Sequence, residues 1–269
     1  MGLAILGYAA AVLMGLSLGL MGGGGSILTV PILVYLFGME PVAATGLSLF
    51  MVGTTSAAGL LSHHRQGNLQ WRTAAIFGLA SVASVFVTRH WLMPALPATL
   101  LRTNGIELSK GTAILILFAV LMLLSAWRMI GGHRPATAAG GGSAHFMLLL
   151  SGLGVGLVTG VLGAGGGFLI VPALVLLAAM PMKQAVGTSL FIITINAYVG
   201  FIGDPQVSLA EHWPIVLPLL AFAIAGIIAG ARLVGRISNE KLRPAFGWFI
   251  LAMGVYIIGR ELYGATIQG

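Results

Sequence analysis

The sequence GAGGG at residues 163–167 interrupts an otherwise continuous apolar run, which resumes and includes Pro172. Its counterpart, GGGGS at residues 22–26, lies 141 residues earlier, and Pro31 precedes Pro172 by the same interval. Each glycine weakens a helix by about 1 kcal/mol relative to alanine, so both runs predict a break in a helix. Non-helical backbone inside a bilayer is tolerated only where protein buries it or where it lines a cavity. Paired breaks of this kind are typical of transporter binding sites.

Composition indicates a membrane protein. The 269 residues are 58% hydrophobic and 7% charged, whereas soluble domains contain about 25% charged residues. The mean hydropathy is +1.03, and apolar runs of about 20 residues predict helices rather than the shorter strands of a membrane barrel. The net charge of +7 is interpreted as loop charges that orient helices and meet anionic lipid, not as a nucleic-acid surface. The absence of cysteine excludes disulfides and thiolate metal sites.

The apolar segments divide the chain into a first transmembrane repeat (1–130), a glycine-rich linker (131–144) and a second repeat (145–269). The predicted segments are 3–21, 27–37, 42–61, 72–88 and 111–130, then 145–162, 168–180, 183–202, 213–234 and 244–262. The second segment of the first half rises only about 18 Å, whereas a hydrocarbon core is about 30 Å thick. We therefore predict an all-α polytopic membrane protein of two homologous repeats. Each repeat has a glycine-broken, re-entrant helix pair followed by three transmembrane helices.

An internal duplication supports this division. A gap-free comparison of residues 15–60 with 156–201 gives 19 identities in 46 positions, including both prolines and several glycines. Five segments per half is an odd number, which predicts that the second repeat is inverted. The inverted arrangement puts nine of the thirteen Lys and Arg residues inside, and a parallel arrangement puts eight. The basic loop at 63–72 and the acidic loop at 204–213 favour the inverted arrangement under the positive-inside rule.

These motifs are similar to those of the sulfite exporter TauE/SafE family, also called the 4-toluene sulfonate uptake permease family. The matching stretches are GLSLGLMGGGGSILTVPIL (15–33), GLVTGVLGAGGGFLIVPAL (156–174), GLSLF (46–50), GTSLF (187–191), QGNLQWR (66–72), GARL (230–233) and LRPAFG (242–247). The resemblance covers nearly the whole chain. It implies a bacterial or archaeal inner-membrane, multi-pass transporter for sulfur-containing anions or related small organic acids. The family name includes both export and uptake, so the direction of transport stays open.

Two interpretations of the glycine runs are weighed. Glycines allow close helix packing, but an unwound turn followed by a half-helix also directs N–H groups at an anion. The second interpretation fits four consecutive small residues better. For any single hydroxyl, a bond to its own helix is favoured, although as a set the hydroxyls beside the breaks are predicted ligands. The predicted substrate-binding residues are Gly22, Gly23, Gly24, Gly25, Ser26, Thr45, Ser48, Thr55, Gly163, Gly165, Gly166, Gly167, Thr188, Ser189 and Asn196.

Arg65 and Arg72 are more often interfacial anchors than ligands, but in the inverted arrangement the loop charges would form a mouth on the cytoplasmic side. It would consist of His63, His64, Arg65 and Arg72, where cations draw anions towards the site. Histidine could relay protons, but a surface loop pair is the favoured interpretation. Arg89 is predicted at a helix end, from which its side chain could reach the interface. No carboxylate falls deep in a predicted helix, which argues against a buried acidic proton relay and favours an anionic substrate.

The sequence therefore predicts a transporter and not an enzyme. It contains no H-E-x-x-H, G-x-S-x-G or Walker A motif. The expected function is secondary transport of sulfite, thiosulfate, a sulfonate or a sulfo-organic acid by alternating access around the paired breaks. The alternatives are a passive anion channel, a membrane subunit of a larger complex, or a transporter of non-sulfur organic anions. We expect no catalytic residue, cofactor or metal; the partners are a small anion and membrane lipid, as a monomer or homodimer.

Overall fold

Helices make up almost all of the described protein. The structure is a computed structural model that describes residues 2–103, 106–131, 142–163 and 165–267, so most of the predicted linker lies outside the described residues. The elements are α1 (Gly2–Met21), a 3-10 turn (Gly23–Gly25), α2 (Ser26–Pro31) with a π turn (Ile32–Leu36), α3 (Pro41–Arg65), α4 (Trp71–Val87) with a π turn (Thr88–Leu92), α5 (Met93–Ala95), β1 (Thr99–Thr103), β2 (Ile106–Ser109), α6 (Lys110–Ile130), α7 (Gly142–Leu162), α8 (Gly167–Leu176), α9 (Met182–Ile202), α10 (Leu209–Leu233) with a 3-10 turn (Val234–Arg236), and α11 (Asn239–Ile267).

Six helices in the described part of the chain are long and apolar enough to cross a membrane. They are Pro41–Arg65, Trp71–Ala95, Lys110–Ile130, Met182–Ile202, Leu209–Leu233 and Glu240–Glu261. Four shorter apolar helices accompany them, at Ile5–Met21, Ser26–Leu36, Phe146–Leu162 and Gly167–Leu176. The prediction of a helical, multi-pass membrane protein is confirmed, and each half supplies three of the long helices. Exposed apolar side chains such as Leu79 and Ile202 are what a lipid-facing surface requires.

Two local features differ from the sequence prediction. Residues Thr99–Thr103 and Ile106–Ser109 pair as an antiparallel β hairpin, so the described protein is not purely α-helical. This connection is too polar to continue a membrane helix, and its Thr and Ile residues favour extended backbone. The helix predicted to end at residue 88 continues without interruption to Ala95 through the π turn Thr88–Leu92.

The first helical pair folds back on itself. Thr29 in α2 donates its hydroxyl hydrogen to the Met14 sulfur in α1, at 3.1 Å. A Cβ atom added at Gly7, near the start of α1, would lie 2.5 Å from the ring of Phe37. The segment from α2 to Phe37 thus returns along α1 and reaches the beginning of that helix, so α1 and α2 run in opposite directions.

The principal helix contacts join the two halves of the chain. Helix α1 packs on α10, α4 on α7, α3 on α9, and α6 on α11. In the third pair Gly46 lies beside Asp204 and Gly187 beside Asn68, so α3 and α9 are antiparallel. The α1 and α10 helices are parallel, because Gly15 lies beside Ala223 whereas Gly230 lies beside Leu16 and Gly19.

Glycines outside the two runs bring the paired helices into backbone contact. A Cβ atom added at Gly15 would lie 1.9 Å from the Ala223 carbonyl oxygen. One added at Gly230 would lie 2.3 Å from the Leu16 carbonyl oxygen. Small residues at a spacing of four allow this approach and the dispersion contacts that hold membrane helices together. The same pattern recurs at Gly152 and Gly156 of α7, which contact the backbone of α4.

We expect Gly15→Ala to destabilise the protein by about 1–3 kcal/mol, because the added methyl group overpacks the α1–α10 contact. The measurement is the midpoint of thermal unfolding in detergent. Gly154→Ala in α7 is the matched control, since no atom lies within 4 Å of its added Cβ and alanine favours helix. Equal melting temperatures for the two variants would contradict this account of the packing.

Candidate functional site

The two glycine runs form breaks with backbone conformations that side chains disfavour. Gly22 has φ 67° and precedes the 3-10 turn Gly23–Gly25, after which α2 begins at Ser26. Gly163, Gly165 and Gly166 have φ values of 70°, 62° and 68°. Glycine adopts positive φ with little steric cost, whereas other residues are strained there. The breaks are therefore specified by the sequence and precede α2 and α8.

The two breaks meet at the centre of the protein. A Cβ atom added at Gly23 would lie 1.6 Å from the carbonyl carbon of Gly167, and one added at Gly167 would lie 2.2 Å from the Gly23 Cα. Gly25 is similarly close to the Met14 carbonyl oxygen, at 2.1 Å from an added Cβ. Both interpretations of the runs therefore apply: these glycines allow an unusual turn and a backbone contact that a methyl group would prevent.

The equivalent serines of the two halves each lie against the break of the other half. The Ser48 hydroxyl is within hydrogen-bond range of the Gly163 carbonyl, and also of the Thr45 carbonyl at 2.9 Å. A Cβ atom added at Gly22 would lie 2.5 Å from the Ser189 hydroxyl oxygen. The sequence comparison pairs these two serines, and the structure gives them matching surroundings. Their contacts support a role in positioning the breaks.

Most predicted hydroxyl ligands have already used their hydrogen within their own half. Thr45 donates to the Val42 carbonyl, Thr55 to Met51, Ser26 to Gly23 and Ser189 to Val186, at 2.7 to 2.8 Å. The Thr188 hydroxyl oxygen accepts from the Gln70 N–H at 3.0 Å. This is the ordinary behaviour of hydroxyls in membrane helices. An anion needs donors, so the four hydroxyls that already donate to carbonyls are poorly suited to bind it in this conformation.

Asn196 joins two helices deep in the protein. It is fully buried, and its Nδ2 donates to the Ser81 hydroxyl of α4 at 2.5 Å. Its Oδ1 has no hydrogen-bond partner among the described residues. The sequence comparison aligns Asn196 with Thr55, so the corresponding position is polar in both halves. The free atom is an acceptor, which by itself does not attract an anion.

A buried ion pair, missed by the sequence analysis, lies beside the second break. Arg89 is the largest fully buried side chain in the described residues, and its Nη1 is 2.8 Å from Asp204 Oδ2. The same nitrogen lies 3.3 Å from the Thr45 hydroxyl oxygen. A Cβ atom added at Gly163 would lie 2.6 Å from Arg89 Nη2. One guanidinium thus contacts α3, the end of α9 and the break.

Arg89 also has donors to spare. Its Nε and Nη2 atoms are buried without a hydrogen-bond partner in the described structure. Buried polar atoms without a partner are uncommon in proteins, and charged ones are costly. The residue is held in the π turn Thr88–Leu92, a helical irregularity that is frequent at functional sites.

These positions correct two expectations. Arg89 does not reach the interface, because the helix continues beyond it and its side chain is enclosed. Asp204 follows α9 in a short turn, as predicted, but only 7% of the residue is exposed. The signal available in the sequence was a charged residue inside an apolar segment that extends on both sides of it, which is a functional-site hypothesis in membrane proteins.

The predicted mouth is divided between buried and exposed residues. His63 lies in the last turn of α3, fully buried, and its Nε2 donates to the Gly19 carbonyl at 3.0 Å. It is therefore not a surface loop residue, since α3 extends to Arg65. His64, Arg65 and Arg72 are exposed, and Arg65 lines a cavity of about 360 Å³ with Arg232 and Gln66. No group of three His, Cys, Asp or Glu residues that could hold a metal occurs in the described part of the chain.

Comparisons with known proteins agree on one family. The family model Sulfite exporter TauE/SafE matches residues 7–257. A probable membrane transporter protein of Xylella fastidiosa is 32% identical over 256 residues, covering 93% of this chain and 92% of that protein. The probable membrane transporter protein YdhB of Bacillus subtilis is 27% identical over 234 residues, covering 87% and 91%. No solved structure shows a significant match.

We expect Arg89→Gln and Asp204→Asn each to lower the stability by as much as about 3–5 kcal/mol, because each leaves a buried charge without its partner. The double variant should be destabilised by much less than the sum, since it buries no charge. A double-mutant cycle of unfolding free energies in detergent measures this coupling. Additive effects would mean that the ion pair has no energetic role.

Proposed function

Because this chain belongs to the sulfite exporter TauE/SafE family, we propose that it is a secondary transporter of small sulfur-containing anions. Family membership and the six apolar helices support a multi-pass protein of the inner membrane, and the family points to a transporter rather than an enzyme. The proposed cargo is sulfite, thiosulfate, a sulfonate or a sulfo-organic acid. The proposed mechanism is alternating access around the two glycine breaks.

The observation that carries the mechanism is the contact between the two breaks. Gly23 and Gly167 touch through their backbones, and they come from opposite halves of the chain. Because the principal helix pairs also join the halves, a movement of one half against the other would change this contact. A transporter needs such a movable centre, with a site exposed first to one side and then to the other.

Helix directions support the inverted-repeat part of the proposal. The α3 and α9 helices occupy equivalent places in the two repeats and are antiparallel. Helix α10 is parallel to α3, since Gly59 lies beside Ile227 and Gln66 donates to the Ala231 carbonyl. It therefore runs opposite to α4, its own equivalent, which turns back after α3. The end of the bundle at which α3 ends would carry most basic residues and would face the cytoplasm.

Charge and backbone dipoles at the breaks favour an anion as cargo. The first N–H groups of a helix have no partner within it, and the helix dipole makes that end positive. Helix α8 begins at Gly167, directly at the contact, and the buried Arg89 lies beside Gly163. Asp204 neutralises the charge of Arg89, so the features that favour an anion over a cation are the helix N-terminus and the unpaired N–H groups of Arg89. The same features would also suit a non-sulfur organic anion, which remains an alternative cargo.

A passive channel or a subunit role fits the centre less well. In this conformation the breaks pack backbone against backbone, which favours a closed gate over a permanent pore. A channel would also conduct without saturation, whereas a carrier saturates and exchanges labelled substrate across the membrane. A membrane subunit would require a partner protein for flux. The purified chain in liposomes therefore separates these alternatives.

We expect Gly165→Leu and Gly24→Leu to abolish saturable sulfur-anion flux in liposomes. At Gly165, where φ is 62°, an added Cβ would lie 2.7 Å from the Val52 side chain, so the break could not form. The exposed Gly154→Leu is the control for adding a large side chain. Size-exclusion profiles establish that each variant is folded. Undiminished flux through a folded Gly165→Leu variant would remove the break from the mechanism.

We expect corresponding loops of the two repeats to face opposite sides of the membrane. The native chain has no cysteine, so His64→Cys and Gln206→Cys each introduce a single thiol at an exposed position. A membrane-impermeant maleimide should label Gln206→Cys in intact cells, and His64→Cys only after the cells are opened. Labelling of both thiols from the same side would support parallel repeats instead.

A further inference from the structure

We propose that Arg89 is the residue that binds the transported oxyanion, through its Nε and Nη2 atoms, and that Asp204 competes with that anion. This inference rests on the proposed function, because it names the contact residue for the same cargo. It depends on three observations: a fully buried guanidinium, two nitrogens on one edge without a partner, and a carboxylate on its other end.

The free edge of Arg89 has the geometry of an oxyanion receptor. Nε and Nη2 carry parallel N–H groups that match two oxygens of a carboxylate, phosphate or sulfonate. Asp204 contacts only Nη1, so it leaves this edge free. Sulfite and sulfonates present three oxygens around one sulfur, and any two of them can span the fork. A halide offers one atom to both N–H groups, so its two hydrogen bonds are less linear than those to two separate oxygens.

The free edge of Arg89 lies beside the second glycine break, which would move in the proposed mechanism. Gly163 packs against both Nη2 and Thr45, since an added Cβ would lie 2.6 Å from Nη2 and 2.3 Å from the Thr45 carbonyl oxygen. An anion can therefore reach this edge only when the break moves away from it. Thr45 is in the first turns of α3, and Ser48 ties the same helix to the Gly163 carbonyl. An anion bound at Arg89 would therefore contact the break itself. Occupancy of the site and the conformation of the break would be coupled.

Charge balance explains why a carboxylate, Asp204, is buried beside Arg89. With the site empty, its carboxylate neutralises a guanidinium that would otherwise be an isolated charge in a low-dielectric interior. When an anion binds, the cluster of Arg89, Asp204 and anion has one excess negative charge for a monovalent sulfonate and two for thiosulfate, and the carboxylate and the bound anion repel each other. Asp204 thus weakens anion binding while it stabilises the empty protein. Removal of its charge should tighten binding, although the same change lowers the stability.

The test is isothermal titration of the purified protein with sulfite, thiosulfate, a C2 sulfonate, a C2 carboxylate and chloride. The variants are Arg89→Lys, Asp204→Asn and the double variant Arg89→Gln with Asp204→Asn, which buries no charge. Arg128→Gln is the control, because it removes an exposed charge in the last turn of α6. Thermal unfolding establishes that each protein is folded.

We expect the wild type and Arg128→Gln to bind one sulfur anion with equal affinity and to bind chloride far more weakly. Arg89→Lys should bind at least about tenfold more weakly, since it loses one charged hydrogen bond of the fork. Asp204→Asn should bind at least about tenfold more tightly, and the double variant should not bind. A purely structural ion pair would alter stability without this opposite change in the two affinities.

The outcomes separate this inference from the proposed function. Wild-type affinity in the folded double variant would overturn the role of Arg89, and saturable flux in liposomes would leave the transporter proposal intact. If the wild type bound and moved no sulfur anion, the cargo proposal and this inference would both fail. If only the carboxylate bound, and the double variant lost it, Arg89 would be an anion site but the sulfur cargo would be wrong.

Discussion

The backbone contact between Gly23 and Gly167 is the constraint on which the rest of the structure depends. Two backbone segments can approach this closely only where neither residue has a side chain. The contact brings together the tips of two helical arms from opposite halves, and the long helices pack around it. The halves are held by further glycine contacts, between α1 and α10 and between α4 and α7. Close approach without side chains is thus the common physical basis of both the centre and the interface.

A polar group near this centre must be satisfied by protein, because no bulk water replaces a lost hydrogen bond. Most hydroxyls meet this requirement by bonding the carbonyls of their own helices, which leaves them stable but chemically occupied. Arg89 differs because only one end of its guanidinium is paired. The hydroxyls are occupied whereas the guanidinium is partly free, so the better candidate for binding an anion lies at the beginning of α3. There, one cation contacts α3, Asp204 after the end of α9, and the second break.

The sequence predicted the features that depend on local backbone preference. Apolar segment lengths located the six crossing helices, and the two glycine runs lie where the helices are interrupted. The sequence carried a signal at Arg89, a charge inside an extended apolar segment, but His90 and Pro94 resemble helix-end signals and masked it. In the structure the π turn carries the helix past both residues. The sequence likewise assigned His63 to a loop, since burial of a polar ring beside Gly19 depends on how α1 packs. The burial of both Arg89 and His63 depends on neighbours from distant segments of the chain, which the local sequence does not reveal.

The two halves of the chain differ at one pair of corresponding positions. Asp204 and His63 are separated by the same interval of 141 residues as the two breaks, and both are buried near the end of their helix. Asp204 is paired with the Arg89 cation, whereas His63 donates to the neutral Gly19 carbonyl. Two identical subunits could not carry different residues at these places. Because both halves belong to one chain, each end of the protein can have its own chemistry, and a transport pathway through them need not be energetically equivalent in both directions.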